Sequence, residues 1–108
     1  DVWGTGEPRR EFLYVDDLAD ACLFLMRCPD SPAPINIASG ETVSIRELTE
    51  LLREATGFRG EVRFDASKPD GAPLKTLDGS RLAVLGWKPA VPLVEGLRRT
   101  WGWYRQRP

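Results

Sequence analysis

Three side chains near the start of the chain have the chemistry to bind a nucleotide. Trp3 stands in a glycine-containing loop, and Arg9 and Arg10 follow it in the run EPRRE. An indole offers a flat face, and a guanidinium offers a fork of donors that matches phosphate oxygens. Without any relative in view, a loop tryptophan more often packs, and an arginine beside Glu11 is more often a solvated charge. The pattern therefore indicates a candidate anion site, with ordinary surface as the alternative.

Two lysines, Lys68 and Lys75, form a second candidate set. They lie in the longest irregular stretch of the chain, DASKPDGAPLKTLD. A lysine is a mobile point charge that can reach a diphosphate across a cleft, although most lysines are simply exposed. Loops of this length in a compact domain are usually functional or disordered. The Asp70-Gly71 pair inside the stretch predicts a turn, so we interpret Asp70 as a turn former and not as a catalytic acid.

The adjacent carboxylates of Asp16 and Asp17 have the chemistry to bind a metal or to transfer protons. They stand where a helix is expected to begin, so we interpret them as caps that accept from free backbone amides. Residues 4–6, with the sequence GTG, resemble part of a phosphate-binding loop. They lack the flanking strand and the spacing of a dinucleotide fingerprint. Neither feature predicts a catalytic or cofactor site by itself.

Composition removes several classes of function. The 108 residues include no histidine, which excludes Ser-His-Asp triads, Cys-His pairs and His-ligated metal sites. We therefore expect no catalytic residue and no metal site in this chain. A formal net charge of −1 gives no general attraction for nucleic acid or anionic membrane, and no apolar run is long enough to span a bilayer. Cys22 and Cys28 are interpreted as buried or half-buried free thiols in a reducing cytoplasm.

The pattern of apolar and turn residues predicts a mixed α/β chain of one domain's length. Ser44 and Glu47 have the spacing of a capping box at the start of a helix, and Gly57 is placed to end that helix. A final helix is predicted from Pro92, with a buried stripe at Leu93, Leu97, Trp101 and Tyr104. The other predicted elements are an extended segment over 10–15, a helix over 17–27, strands over 35–39 and 61–64, and a short helix over 80–85. Three short strands make a thin sheet, which indicates that they join strands outside this chain.

Four segments occur in a recognisable order: VWGTGEPRREFLYVDDLADAC, INIASGETVSIRELTELL, FDASKPDGAPLKTLDGSRLAVLGWKP and LVEGLRRTWGWY. Together they resemble the end of the GDP-L-fucose synthase family, which belongs to the extended short-chain dehydrogenases/reductases. The resemblance covers Val2 to about Arg105. The REFLYVDD segment is shared among many sugar-nucleotide epimerases and dehydratases. The KPDG segment with its following lysine, SRL and LGW is more specific to fucose synthases.

The resemblance implies an α/β fold, the carboxy-terminal substrate-binding part of a Rossmann-type extended short-chain dehydrogenase. Residues 1–108 would be one sugar-nucleotide-binding fragment, with residues 10–40 packing on a cofactor-binding domain that precedes it. The family epimerises GDP-4-keto-6-deoxy-D-mannose at two carbons and reduces the ketone with NADPH to give GDP-L-fucose. Its Ser, Tyr, Lys, Cys and His catalytic groups, and its cofactor turn, would lie upstream of Asp1. The fragment is then expected to be inactive alone, and the full enzyme to be a cytoplasmic homodimer.

The resemblance also implies which side chains hold the substrate. Trp3 matches the family's loop tryptophan at the nucleotide-sugar site, Arg10 the arginine that contacts the diphosphate, and Lys75 the lysine that approaches from the opposite wall of the cleft. Arg9 and Lys68 are further substrate-binding candidates. Arg9 stands where an uncharged residue is common, which leaves open whether Arg9 or Arg10 faces the phosphate. Leu74 and Tyr14 also depart from frequent residues and leave the exact sugar open.

Two alternative interpretations remain at this stage. The chain could be the same region of a different enzyme, such as a GDP-mannose dehydratase or a UDP-sugar epimerase, although the KPDG loop favours a fucose synthase. It could also be a binding module that has no catalytic half. A separate expectation concerns assembly: an isolated fragment with an unpaired strand edge would self-associate or exchange elements.

Overall fold

The computed structural model describes residues 1–28 and 34–107. In these two ranges the chain is mixed α/β, with short strands and four helices. The strands are β1 (Val2–Trp3), β2 (Arg9–Glu11), β3 (Thr42–Ser44), β4 (Phe64–Asp65) and β5 (Leu74–Lys75). The helices are α1 (Val15–Leu25), α2 (Ile45–Thr56), α3 (Ser80–Val84) and α4 (Leu93–Arg105). In the described ranges no helix is both long and apolar enough to cross a bilayer.

The strands form two small sheets that bring the start of the chain beside the long loop. In one sheet β1 pairs with β4 in parallel. In the other, β2 is central, antiparallel to β3 and parallel to β5. The register of β2 and β5 makes Arg9 the partner of Leu74 and Arg10 the partner of Lys75. Residues 2–11 therefore run alongside residues 64–75 at two places.

The predicted strands were wrong in two respects. Residues 35–39 are irregular, and the strand predicted over 61–64 is confined to Phe64–Asp65. Strands β3 and β5 are only three and two residues long, so no alternation of apolar residues marks them. Their pairing depends on the partner strand and not on a local preference.

Helix α2 confirms its predicted signals. The amide of Glu47 donates to Ser44 Oγ at 3.0 Å, and the amide of Ser44 donates to Glu47 Oε2 at 2.7 Å. Gly57 ends the helix at φ 71°, in the left-handed region that favours glycine. Helix α3 also lies where it was predicted, and α4 begins directly after Pro92.

The predicted roles of Asp16 and Asp17 were wrong. Helix α1 begins at Val15 after Tyr14, and no side chain caps it. Asp17 is buried and accepts a hydrogen bond from the amide of Val91 at 2.9 Å, so it ties α1 to the segment before α4. Both carboxylates still lie in the first turn, where the helix dipole favours negative charge. A tertiary contact was mistaken for capping because both uses place a carboxylate at a helix start.

The core is small and lies between α1, α3 and the segment that follows α3. Ala21, Leu82 and Trp87 are its buried members, and Trp87 Nε1 donates to Asp20 Oδ2 at 2.8 Å. Helix α4 packs on α2, but Tyr104 is 63% exposed, so its predicted place in the buried stripe was wrong. Cys22 is exposed and Cys28 half-buried, which corrects the expectation of burial for Cys22.

Candidate nucleotide-sugar site

The end of β1 presents an aromatic face to solvent, at a position where the sequence had predicted a loop. Trp3 ends β1 and is 73% exposed, with Lys68 Nζ 5.6 Å from the centroid of its ring. An ammonium over an indole face is attracted by the partial negative charge on the face of the neutral ring. Gly4 and Gly6 follow with φ of 87° and 83°, in the left-handed region that favours glycine. The structure thus brings together Trp3 and Lys68, two predicted residues that are distant in the sequence.

Asp70 fastens the long loop to this turn. Its Oδ1 accepts from the amide of Thr5 at 2.9 Å, and its Oδ2 accepts from Thr5 Oγ1 at 2.6 Å. These bonds, the hydroxyl first and then the amide, hold the pKa of Asp70 below its usual value. A Cβ on Gly4 would overlap the Asp70 carboxylate. Asp70 is therefore a long-range anchor.

The turn predicted at Asp70-Gly71 lies elsewhere, so that prediction was wrong. The turn is at residues 65–68, where the amides of Ser67 and Lys68 donate to Asp65 Oδ1 and Asp65 O at 3.0 and 3.1 Å. Thr5 was not a candidate from the sequence, because nothing in its neighbourhood marks the partner 65 residues away.

Arg9 and Arg10 point to opposite faces of β2, as successive strand residues do. Arg9 is engaged by the β3 side: Nη2 donates to Thr42 O at 2.7 Å, and Nη1 lies 3.4 Å from Glu47 Oε2. Arg10 turns toward the long loop, where Nη1 donates to Ala72 O at 2.7 Å. Arg10 is therefore the arginine that lies beside Lys75, and which arginine faces the phosphate stays a prediction.

Arg10 and Lys75 stand side by side on one sheet face. They are register partners on parallel strands, which lie about 5 Å apart in any sheet. The picture of two cations on opposite walls of a cleft was therefore wrong, because both belong to one wall. That wall borders a groove of about 320 Å³ whose other lining includes Leu13, Ile37 and Leu77. Within residues 1–28 and 34–107, neither cation forms an ion pair with a carboxylate.

The arrangement is suited to binding and not to proton transfer. Two neighbouring cations can share the charge of a diphosphate, and an exposed indole offers a stacking face. Trp3 and Lys68 lie beside the other sheet and do not line the groove of Arg10 and Lys75. In the part of the chain that the structure describes, no group of three or more Cys, Asp or Glu side chains is placed to hold a metal ion. The chemistry available is electrostatic anchoring.

Comparison with known proteins shows which proteins the chain is similar to. Residues 1–38 match the model of the NAD dependent epimerase/dehydratase family. Over 103 residues the chain is 55% identical to GDP-L-fucose synthase 1 of Arabidopsis thaliana, covering 95% of this chain and 32% of that protein. The chain is thus similar to members of the NAD dependent epimerase/dehydratase family, over residues 1–38 for the family model and over 103 residues for this relative. It spans about a third of the length of the curated relatives it matches.

Solved structures confirm the predicted fold class. A GDP-L-fucose synthetase from Naegleria fowleri bound to NADP superposes with a TM-score of 0.90 at 30% identity, covering 97% of this chain and 34% of that one. A UDP-glucose 4-epimerase with UDP-glucose from Thermotoga maritima gives 0.86 at 33% identity, covering 98% and 35%. The fold is therefore shared by enzymes of both nucleotide classes, and the choice between them depends on the site.

Proposed function

We propose that this chain is the nucleotide-sugar-binding part of an NADPH-dependent GDP-L-fucose synthase. Such an enzyme converts GDP-4-keto-6-deoxy-D-mannose into GDP-L-fucose by epimerisation and reduction. The observation that carries the proposal is the pair Arg10 and Lys75, held in register on one face and free of carboxylate partners among the described residues. The 55% identity to a protein named GDP-L-fucose synthase supports the choice of substrate.

In this proposal the chain anchors the substrate and supplies no reacting group. Arg10 and Lys75 bind the diphosphate, Trp3 offers its face to the nucleotide sugar, and Lys68 adds positive charge beside it. Gripping the diphosphate converts the sugar's encounter with catalytic groups into a nearly unimolecular step. Arg9 contributes less, because Glu47 lies 3.4 Å from its Nη1 and offsets its charge, whereas Arg10 donates to the neutral carbonyls of Arg9 and Ala72.

The residues described here do not fit a dinucleotide cofactor. A dinucleotide fingerprint leads from a strand into a helix whose amino terminus faces the pyrophosphate. The glycine loop at residues 4–6 leads from β1 toward β2 instead. We therefore place the NADPH site, and the hydride it supplies, on a part of the enzyme outside this chain.

The packing of residues 10–40 on a cofactor domain stays a proposal. It is supported by the apolar side chains that α1 leaves exposed, namely Val15, Leu18 and Leu23. The same exposed face is the reason to expect self-association of the isolated chain. Homodimerisation of the full enzyme and a reducing cytoplasm remain expectations of the family resemblance and of the two free cysteines.

The alternative substrate class is a UDP-sugar. The TM-score of 0.86 with a UDP-glucose 4-epimerase supports this alternative, because it shows that the same fold occurs in a UDP-sugar enzyme. The two proposals differ in the nucleotide bound, and the same cations would serve a diphosphate in either. A comparison of GDP with UDP therefore separates them.

Titration calorimetry of the chain with GDP, UDP and GDP-fucose tests the proposal. Arg10→Ala and Lys75→Ala are each expected to weaken GDP binding about tenfold, since a charge-assisted bond contributes about 1.5 kcal/mol or more. The exposed Arg59 and Lys88 provide matched controls, Arg59→Ala and Lys88→Ala, which should bind GDP like the unmodified chain. Tighter binding of UDP than of GDP would favour the alternative. Equal losses in the control variants would contradict a site at Arg10 and Lys75.

A further inference from the structure

Glu11 joins three segments of the chain through one carboxylate. Its Oε1 accepts from the amide of Gly40 at 2.9 Å and from Ser39 Oγ at 3.2 Å. Its Oε2 accepts from Thr76 Oγ1 and from the amide of Leu77, both at 2.9 Å. The end of β2, the turn before β3 and the stretch directly after β5 thus meet at a single side chain.

These four hydrogen bonds lie directly beyond the end of the ladder between β2 and β5. Strand β5 has two residues, and its ladder with β2 ends at the pair Arg10 and Lys75. Beyond that pair, Thr76 and Leu77 are held by Glu11. On the other side of Lys75, Arg10 Nη1 binds Ala72 O at 2.7 Å. Two successive residues of β2 therefore hold the segment on both sides of the lysine.

The charge of Glu11 is consistent with a supporting role. Burial raises the pKa of Glu11, but the amides of Leu77 and Gly40 and the hydroxyls of Thr76 and Ser39 lower it more, so the net shift is downward. The group is then ionised at neutral pH with both oxygens occupied by donors. Although Glu11 borders the same groove as Arg10 and Lys75, both of its carboxylate oxygens accept hydrogen bonds from protein donors.

We infer that Glu11 is a positioning residue that holds Lys75 beside Arg10 and thereby sets the affinity of the site for a nucleoside diphosphate. This inference rests on the proposed function, because it concerns the same anion site. Glu11 acts through Lys75 and does not itself touch the ligand. A carboxylate is needed because all four groups that reach it are donors, and an amide nitrogen would face one of those pairs.

The test is a double-mutant cycle between Glu11→Gln and Lys75→Ala, measured by calorimetry with GDP. Glu11→Gln keeps the size of the side chain and turns one acceptor into a donor. We expect it to weaken GDP binding about tenfold in the unmodified chain and less than twofold in the Lys75→Ala background. Glu41→Gln, which removes an exposed carboxylate from the neighbouring turn, is the matched control and should change neither value.

Each other outcome is decisive. Equal losses with and without Lys75 would mean that Glu11 supports the fold in general, and would overturn the inference. Tighter binding by Glu11→Gln would mean that its charge opposes the ligand, which also overturns it. If Glu11→Gln fails to fold, Thr76→Val removes one of the four donors at constant shape and must show the same dependence on Lys75. GDP binding with no effect of either variant defeats this inference alone, whereas an unmodified chain that binds no GDP defeats the proposed function as well.

Discussion

Helix α2 is closed by contacts between residues three or four positions apart, whereas the loop from β4 to α3 is held by residues more than sixty positions away. In α2, Ser44 and Glu47 satisfy each other's amides, and the amide of Gly57 returns to Arg53 O. In the loop, Asp70 is bound by Thr5 and Thr76 by Glu11, at separations of 65 residues each. A local device shapes the first region, and the first dozen residues of the chain shape the second.

This difference has a functional consequence. Bonds from the segment that carries Trp3 and Arg10 reach the loop at Asp70, Ala72 and Thr76, which lie within four residues of the candidate ligand contacts Lys68 and Lys75. We expect the loop to loosen without melting α2, although the amides of Ile45 and Arg46 at the start of α2 donate to Pro8 O and Gly6 O at 3.0 and 2.9 Å. Three substitutions test that separation.

The largest effect is expected from Gly4→Ala. Its φ of 87° disfavours any residue with a Cβ, and the new Cβ would meet the Asp70 carboxylate. We expect a loss of about 2 kcal/mol in the free energy of unfolding, since a strained backbone of this kind costs about 1–3 kcal/mol. Hydrogen exchange followed by mass spectrometry should speed up in residues 65–78 and stay unchanged in α2. Gly102→Ala is the control, because open space surrounds that helical glycine; faster exchange in both regions would refute the separation.

A smaller loss of stability, in α2 and not in the loop, is expected from Ser44→Ala. Removal of a helix cap of this type costs about 1 kcal/mol. Exchange should speed up in the first turns of α2, while residues 65–78 keep their protection and GDP affinity stays within twofold. Glu54→Ala, on the exposed side of the same helix, serves as the control. Loss of GDP binding in Ser44→Ala would show that the two regions are coupled.

The smallest effect is expected when the pH is lowered and the Asp70 carboxylate becomes protonated. The folded pKa of Asp70 is lowered by the two bonds from Thr5, so its contribution is present above the ordinary pKa of an aspartate. That contribution is lost as pH falls through the lowered folded pKa. Exchange protection of residues 65–78 should therefore differ between the unmodified chain and Asp70→Asn at pH 7, and the difference should shrink toward pH 3. A difference that is constant over this range, or one matched by Glu54→Gln, would argue against an ionised anchor.

The predicted site residues illustrate how far the sequence reached. Arg10, Lys75, Trp3 and Lys68 were candidates because their side chains suit a diphosphate and because the four segments resemble a family. Their pairing across the chain, and the choice of Arg10 over Arg9 as the neighbour of Lys75, required the register of β2 with β5. Thr5 and Glu11 were overlooked, because a polar residue reveals a distant partner only when the backbone brings the two together.

The sequence by itself determined the features whose causes are local. Helix α2, with its Ser44 to Glu47 box and its Gly57 terminus, depends on side chains that meet within one turn, and the family resemblance depends on the order of residues alone. Tertiary structure decided the hydrogen-bond partners of Asp17 and Asp70 and the irregular conformation of residues 35–39. Local sequence patterns had predicted a helix cap, a turn and a strand at these places. A carboxylate accepts from whichever donor the fold presents, and a two-residue strand such as β5 exists only because β2 lies beside it.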